Sequence, residues 1–158
     1  KEVIKVEKML IRGVTSDKNV ARISIMELPD SPGIAFKIFS ALASRRIDVD
    51  IILQSIGRNN TKDISFTVSK DNKDLAIEVL HSVIPNASVT CNDQISKVSI
   101  VGAGMQSNPG VAAKMFEALA DANINIQMIS TSEIKLSVLI DQKDTDRAVQ
   151  VIHEAFIG

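Results

Sequence analysis

The segment Asp30-Ser31-Pro32-Gly33-Ile34-Ala35 places a carboxylate and a hydroxyl directly before a Pro-Gly helix start. The first amides of a helix have no acceptor within it and lie at the positive end of its dipole, so they suit a carboxylate. Asp30 or nearby carbonyls suit an ammonium, and Gly33 lets a small molecule approach the backbone. Together these groups match the two charged ends of a free amino acid. The plainer reading of the same residues is a strand-to-helix turn capped by Asp30. Gln54, beside Ser55 near a strand end, is a further polar group for such a ligand or else an exposed edge residue.

The other chemistry-bearing residues lack the spacing that reactions need. Gly102-x-Gly104 is no dinucleotide fingerprint, because Ser107 stands at the third glycine position. His81 and His153 fall on separate helices, and Cys91 is the sole cysteine, which leaves no zinc set and no disulfide. No nucleophile motif accompanies the serines, and the acid pair Asp48 and Asp50 shows no sign of a substrate cleft. The reading is therefore a binding module with no catalytic residues, no metal and no cofactor.

The elements that position these residues come in two copies. Pro32-Gly33-Ile34-Ala35-Phe36-Lys37-Ile38-Phe39-Ser40-Ala41-Leu42-Ala43 recurs as Pro109-Gly110-Val111-Ala112-Ala113-Lys114-Met115-Phe116-Glu117-Ala118-Leu119-Ala120, at an offset of 77 that also relates Ile47 to Ile124 and Ser55 to Ser132. In each copy a strand (22–28 or 97–101) leads into a helix whose apolar stripe is Ala35, Ile38, Phe39, Leu42 or Ala112, Met115, Phe116, Leu119. Two strands follow (49–56 and 63–69, or 125–131 and 134–140). A second helix is striped by Ala76, Val79, Leu80, Val83 or by Ala148, Val151, Ile152, Ala155, with Asp71 and Asp141 placed as caps or first-turn acids. The order is βαββαβ, predicting an α+β fold of two ferredoxin-like units with antiparallel sheets and helices on one face. The first copy closes with the strand 87–91, but the second has none after its last helix. The strand-like run from Met9 to Val14 is expected to fill that place, inserting the first repeat (20–93) into a discontinuous second one (9–16 plus 95–158).

Composition narrows the classes further. The 158 residues carry a net charge of −1, with 45% hydrophobic and 3% aromatic side chains, all Phe. No basic stripe or aromatic platform marks a nucleic-acid binder, and no run approaches the ~20 apolar residues of a membrane span. The lone cysteine points to a reducing cytoplasm. Two cores this small call for a partner, and the open strand edges point to a homodimer.

The Leu28-Pro29-Asp30-Ser31-Pro32-Gly33 start with Ile47-Asp48-Val49-Asp50 resembles an ACT domain. The strings Val101-Gly102-Ala103-Gly104-Met105 and Ile129-Ser130-Thr131-Ser132-Glu133-Ile134-Lys135, with the lead-in Ile11-Arg12-Gly13-Val14-Thr15-Ser16-Asp17, look like the regulatory region of the aspartokinases. The resemblance spans nearly the whole chain. It implies a tandem ACT module that senses lysine, threonine or both and feeds back on the phosphorylation of aspartate. The kinase domain lies N-terminal to such regions, so this chain is expected to be a separate regulatory subunit or a cut piece that acts with a catalytic domain or subunit. It also implies an effector site of Asp30, Ser31, Pro32, Gly33, Ile34, Ala35 and Gln54 walled by Asn125 and Ile126. By pseudo-symmetry it implies a second at Met105, Ser107, Asn108, Gly110, Val111 and Ala112, walled by Asp48, Val49 and Asp50. Thr131, Ser132 and Glu133 match positions tied to feedback control. Ala112 stands where some relatives carry a hydroxyl. Asp48, Asp50 and Glu133 are the carboxylates available to a lysine side chain, whereas threonine needs only a small polar pocket. The alternative is an ACT-type sensor of another amino acid acting on a different enzyme or regulator.

Overall fold

A computed structural model of the chain describes residues 11–104 and 108–157. Contacts divide it into two units, with the breaks at Lys18/Asn19 and Asp93/Gln94. The unit between the breaks holds β2 (Ala21–Pro29), α1 (Ile34–Ser44), β3 (Ile52–Ile56), β4 (Thr61–Val68), α2 (Lys73–Val83) and β5 (Ser88–Asn92). The flanking unit holds β1 (Ile11–Asp17), β6 (Ile95–Gly102), α3 (Pro109–Asp121), β7 (Met128–Thr131), β8 (Lys135–Asp141) and α4 (Thr145–Phe156).

Strand order in the first unit is β3-β4-β2-β5 and in the second β7-β8-β6-β1, with every pairing antiparallel. β1 thus occupies beside β6 the place that β5 takes beside β2, as the inserted arrangement requires. Its register runs from Ile11 opposite Gly102 to Asp17 opposite Lys97. Met9, where the strand-like run begins, lies outside the described residues.

Period-2 alternation turns one side of each sheet to its helices. Ile23, Ile25, Ile64, Phe66 and Val68 pack under Ile38, Leu42, Ala76 and Leu80 in one core. There the Phe39 and Phe66 rings meet edge-on, 5.5 Å between centroids. Ile11, Val98, Ile100, Val138 and Ile140 pack under Met115, Leu119, Ile152 and Phe156 in the other. On the helix-free side each repeat carries the same cross-strand hydroxyl pair, Ser24 with Ser65 at 2.9 Å and Ser99 with Ser137 at 2.7 Å.

The helices that follow the Pro-Gly turns end alike. Arg46 and Asn123 are left-handed, with φ of 59° and 58°. The next amides, of Ile47 and Ile124, reach back to the carbonyls of Leu42 and Leu119 at 3.1 and 2.9 Å, and both isoleucines are buried. This is a Schellman stop with its apolar contact.

Two expectations need correction. The strands begin later than 49 and 125, at Ile52 and Met128. In the first repeat the buried Thr67 hydroxyl takes the Ile51 N–H at 3.0 Å, and the pairing is irregular there. In the second, Gln127 N–H still reaches Leu139 O at 2.8 Å, but the residues before it run as a loop. Asp71 lies in the first turn, and Asp141 at the N-cap position, of the short 3-10 turns that lead into the second helices, but neither side chain makes a capping hydrogen bond. Asp141 accepts from Gln127 Nε2 at 2.8 Å and Asp71 from Asn19 Nδ2 at 3.5 Å, while Asp74 and Asp146 are the first-turn acids of α2 and α4.

Candidate functional site

β2 delivers the chain to the first Pro-Gly turn through a bulge. Its register shifts between Ile25 and Leu28, and Glu27 there is left-handed at φ 56° with its amide held by Asp63 Oδ1 at 2.8 Å. Beyond Pro29 the Asp30 amide donates to Asn60 O at 2.8 Å, tying the turn to the β3–β4 hairpin. Gly33 then precedes α1 at φ +91°, a conformation that an L side chain resists. No side chain caps α1, and its ladder begins with Lys37 N–H to Gly33 O at 2.9 Å. The amides of Ile34, Ala35 and Phe36 therefore have no acceptor within the helix. Asp30 is no cap, because its carboxylate faces Lys62 Nζ at 3.7 Å.

Asp30, Ser31, Pro32 and Gly33 are exposed, while Ile34 and Ala35 are partly covered by the core beneath them. Gln54 is exposed on β3, the outer strand of this sheet, opposite Ile64. Asn125 and Ile126 belong to the other unit, on the loop between α3 and β7. Asn125 is exposed there, and Ile126 packs on that unit's core.

The second Pro-Gly turn is built differently. α3 starts at Pro109 with Asn108 as its uncapped N-cap, so Gly110 lies inside the first turn rather than before it. The helix therefore begins two residues earlier, in repeat register, than α1. Val111 is buried and Ala112 half-buried, facing the core. Met105 and Ser107 lie outside the described residues. Asp48 and Asp50 are exposed on the loop before β3, and Val49 between them packs on the core. Thr131, Ser132 and Glu133 are exposed at the β7–β8 hairpin, where Ser132 N–H closes the turn on Lys135 O at 2.7 Å.

Two features near the first turn escaped sequence reading. Lys62 sits on β4 in the row with Ile64, Phe66 and Val68, on the helix-facing side, and is 8% exposed. A cation breaking that apolar alternation was the available signal. On the far side of the bulge, Met26, Glu27, Ile56, Arg58, Asn59 and Asp63 help line a concavity of about 550 Å³. A smaller one of about 340 Å³ has Leu28, Ile34 and Lys37 in its wall.

Among the described residues, two titrating groups depart from their ordinary values. Partial desolvation pushes the Cys91 thiol up, which favours the unreactive protonated form. Lys73 is raised by its 2.9 Å hydrogen bond to Asp93. Among the described residues no three His, Cys, Asp or Glu side chains gather as a metal set, and no helix is long and apolar enough to cross a membrane.

Comparison with known proteins agrees with this geometry. A family model described as the ACT domain matches twice, over residues 23–84 and 98–156. The chain is 45% identical over 160 residues to an aspartokinase of Mycolicibacterium smegmatis and 46% identical over 153 residues to one of Helicobacter pylori. Those matches take in 98% and 96% of this chain but only 38% of each relative's length. The ligand-free regulatory subunit of aspartate kinase from Thermus thermophilus superposes with a TM-score of 0.89 at 42% identity, over 93% of this chain and 99% of that one. A chain from the structure of aspartokinase α and β subunits gives 0.83 at 48% identity, over 92% and 98%.

Proposed function

The chain belongs to the ACT domain family, as a tandem pair of the aspartokinase regulatory type, and from that premise we propose that it senses lysine, threonine or both and sets the activity of an aspartate kinase. The observation that carries the reading is the first helix mouth, where uncapped α1 amides follow the turn that bears Asp30. An amino acid's carboxylate would lie on the amides of Ile34 and Ala35 and its ammonium at Asp30. The wall of Asn125 and Ile126, and the second site at Asn108, Gly110, Val111 and Ala112 with Asp48 and Asp50, follow by family resemblance and pseudo-symmetry. α3 starts earlier in repeat register than α1, so the two mouths are not identical.

A homodimer fits the same reading. All five residues of the outer strand β3 are exposed, and Ile52, Leu53 and Ile56 among them are apolar; Ile129 and Ile134 are exposed at β7 and its hairpin. Bare apolar edges favour pairing with a second copy. An effector bound across such a seam would stabilise the dimer by mass action and bias an attached or partner kinase between two states. The relatives are aspartokinases of which this chain spans only 38% of the length, which leaves room for a kinase domain outside it.

Isothermal titration of the chain with L-lysine, L-threonine and L-methionine, singly and in pairs, tests the proposal. Saturable heat at or below millimolar concentration for lysine or threonine supports it. Silence from all three refutes it.

A further inference from the structure

Lys62, on β4 beside the first turn, is not accounted for by the helix mouth. Its stem lies in the helix-facing row of β4, opposite Leu28 on one side and Ile56 on the other. Its side chain is only 10% exposed. Packing of the stem restricts where the ammonium can reach, and a charge so placed gains most from a close, hydrogen-bonded partner. The partner present is a weak one. Asp30 Oδ1 is 3.7 Å from Nζ, beyond hydrogen-bond distance, and the Asp30 side chain is itself 47% exposed. The turn that carries Asp30 is meanwhile fixed independently, by its amide on Asn60 O at 2.8 Å. The loose pair is therefore not what holds the turn in place.

The second repeat has no such pair. Its β8 runs Leu136, Val138, Ile140 where β4 runs Ile64, Phe66, Val68, so Lys62 corresponds to Ile134, which is 60% exposed. Asp30 corresponds to Ser107 at the offset of 77. Fold maintenance thus does not demand a buried lysine at this position, and the charge belongs to the first turn alone.

We propose that Lys62 reads the effector's carboxylate, and that its ammonium on Asp30 holds the place the effector's own ammonium takes on binding. This rests on the reading that the first turn is the amino-acid site. By themselves Asp30 and Lys62 satisfy each other poorly. A bound amino acid supplies a cation to Asp30 and an anion to Lys62, so both charges gain a close partner at once. The arrangement selects a free zwitterion over an amine that lacks the carboxylate, because without that anion Lys62 loses Asp30 and gains no close partner in exchange.

The test compares whichever of L-lysine and L-threonine the wild-type chain binds with the corresponding amino-acid carboxamide, by calorimetry on wild type, Lys62→Met and Lys62→Arg. The wild type is expected to prefer the free acid. Lys62→Met keeps the stem and removes the charge. It should lose about tenfold or more in affinity for the free acid, on the scale of one charge-assisted hydrogen bond, and should lose most of the preference over the carboxamide. Lys62→Arg should recover part of that preference. Equal weakening of acid and carboxamide in Lys62→Met would mean a structural lysine and overturns the inference while leaving the amino-acid site standing. No heat from the wild type overturns the site and the inference together. A second measurement does not depend on variant folding. The 13Cε and 1Hε resonances of Lys62 in the wild-type chain should shift on saturation with the free acid, and unchanged resonances overturn the inference.

Discussion

Replacing Ile11 by Ala should destabilise the second repeat and spare the first, although Ile11 precedes both in sequence. Ile11 is 6% exposed and belongs to the core of Val98, Met115, Leu119 and Phe156, brought there by β1. The substitution removes three carbon groups. At about 0.8 kcal/mol each the transfer loss is about 2.4 kcal/mol, and a partly collapsed cavity adds a few tenths. Because β1 is an outer strand beside β6 the site relaxes readily, so a total of about 2.5–3 kcal/mol is expected. That corresponds to a roughly 100-fold larger equilibrium constant for opening. Native-state hydrogen exchange reads it residue by residue. The amides of β6 and β8 should lose about two decades of protection, and those of β2 and β4 should keep theirs. Loss in β2 and β4 instead, or no loss in β6 and β8, would refute the inserted-strand arrangement and the assignment of Ile11 to that core.

Three more outcomes follow from single contacts. Ser99→Ala or Ser137→Ala each strands a buried hydroxyl and should cost about 1–3 kcal/mol, while the double variant should cost clearly less than their sum in urea unfolding; strict additivity would contradict the pair. Gly33→Ala meets no atom within 4 Å, so only its φ of +91° resists; about 1–2 kcal/mol should be lost in the first repeat, with weaker effector binding alongside, and an unchanged melting curve would show the turn to be relaxed. Cys91 should react with a disulfide reagent at pH 8 more slowly in the folded chain than in urea, because its thiolate is disfavoured when folded, and equal rates would argue against that desolvation.

Much of the architecture was legible because duplication writes each element twice. The stripes at Ile38, Leu42 and at Met115, Leu119 identified the helices, and the missing last strand of the second copy pointed to the N-terminal run that became β1. What stayed hidden depends on contacts between residues far apart in sequence. The start of β3 is shifted by the side chain of Thr67, sixteen residues from Ile51, and no strand pattern encodes that bond. The bulge puts Glu27, a residue other than glycine, in the left-handed region, held by Asp63 across the sheet. The two Pro-Gly turns read alike, yet Gly33 precedes its helix and Gly110 lies within one. The candidate site was legible as the stretch from Asp30 to Ala35. Its buried cation was not, because Lys62 meets Asp30 only once β4 lies beside β2.

Amide chemical-shift mapping on the labelled chain tests the central claim most directly, because it asks where an amino acid sits as well as whether it binds. Saturation with L-lysine or L-threonine should move the amides of Ile34 and Ala35, together with those flanking Asp30, more than any in the β6–α3 turn. Binding that leaves those amides unmoved would contradict the account.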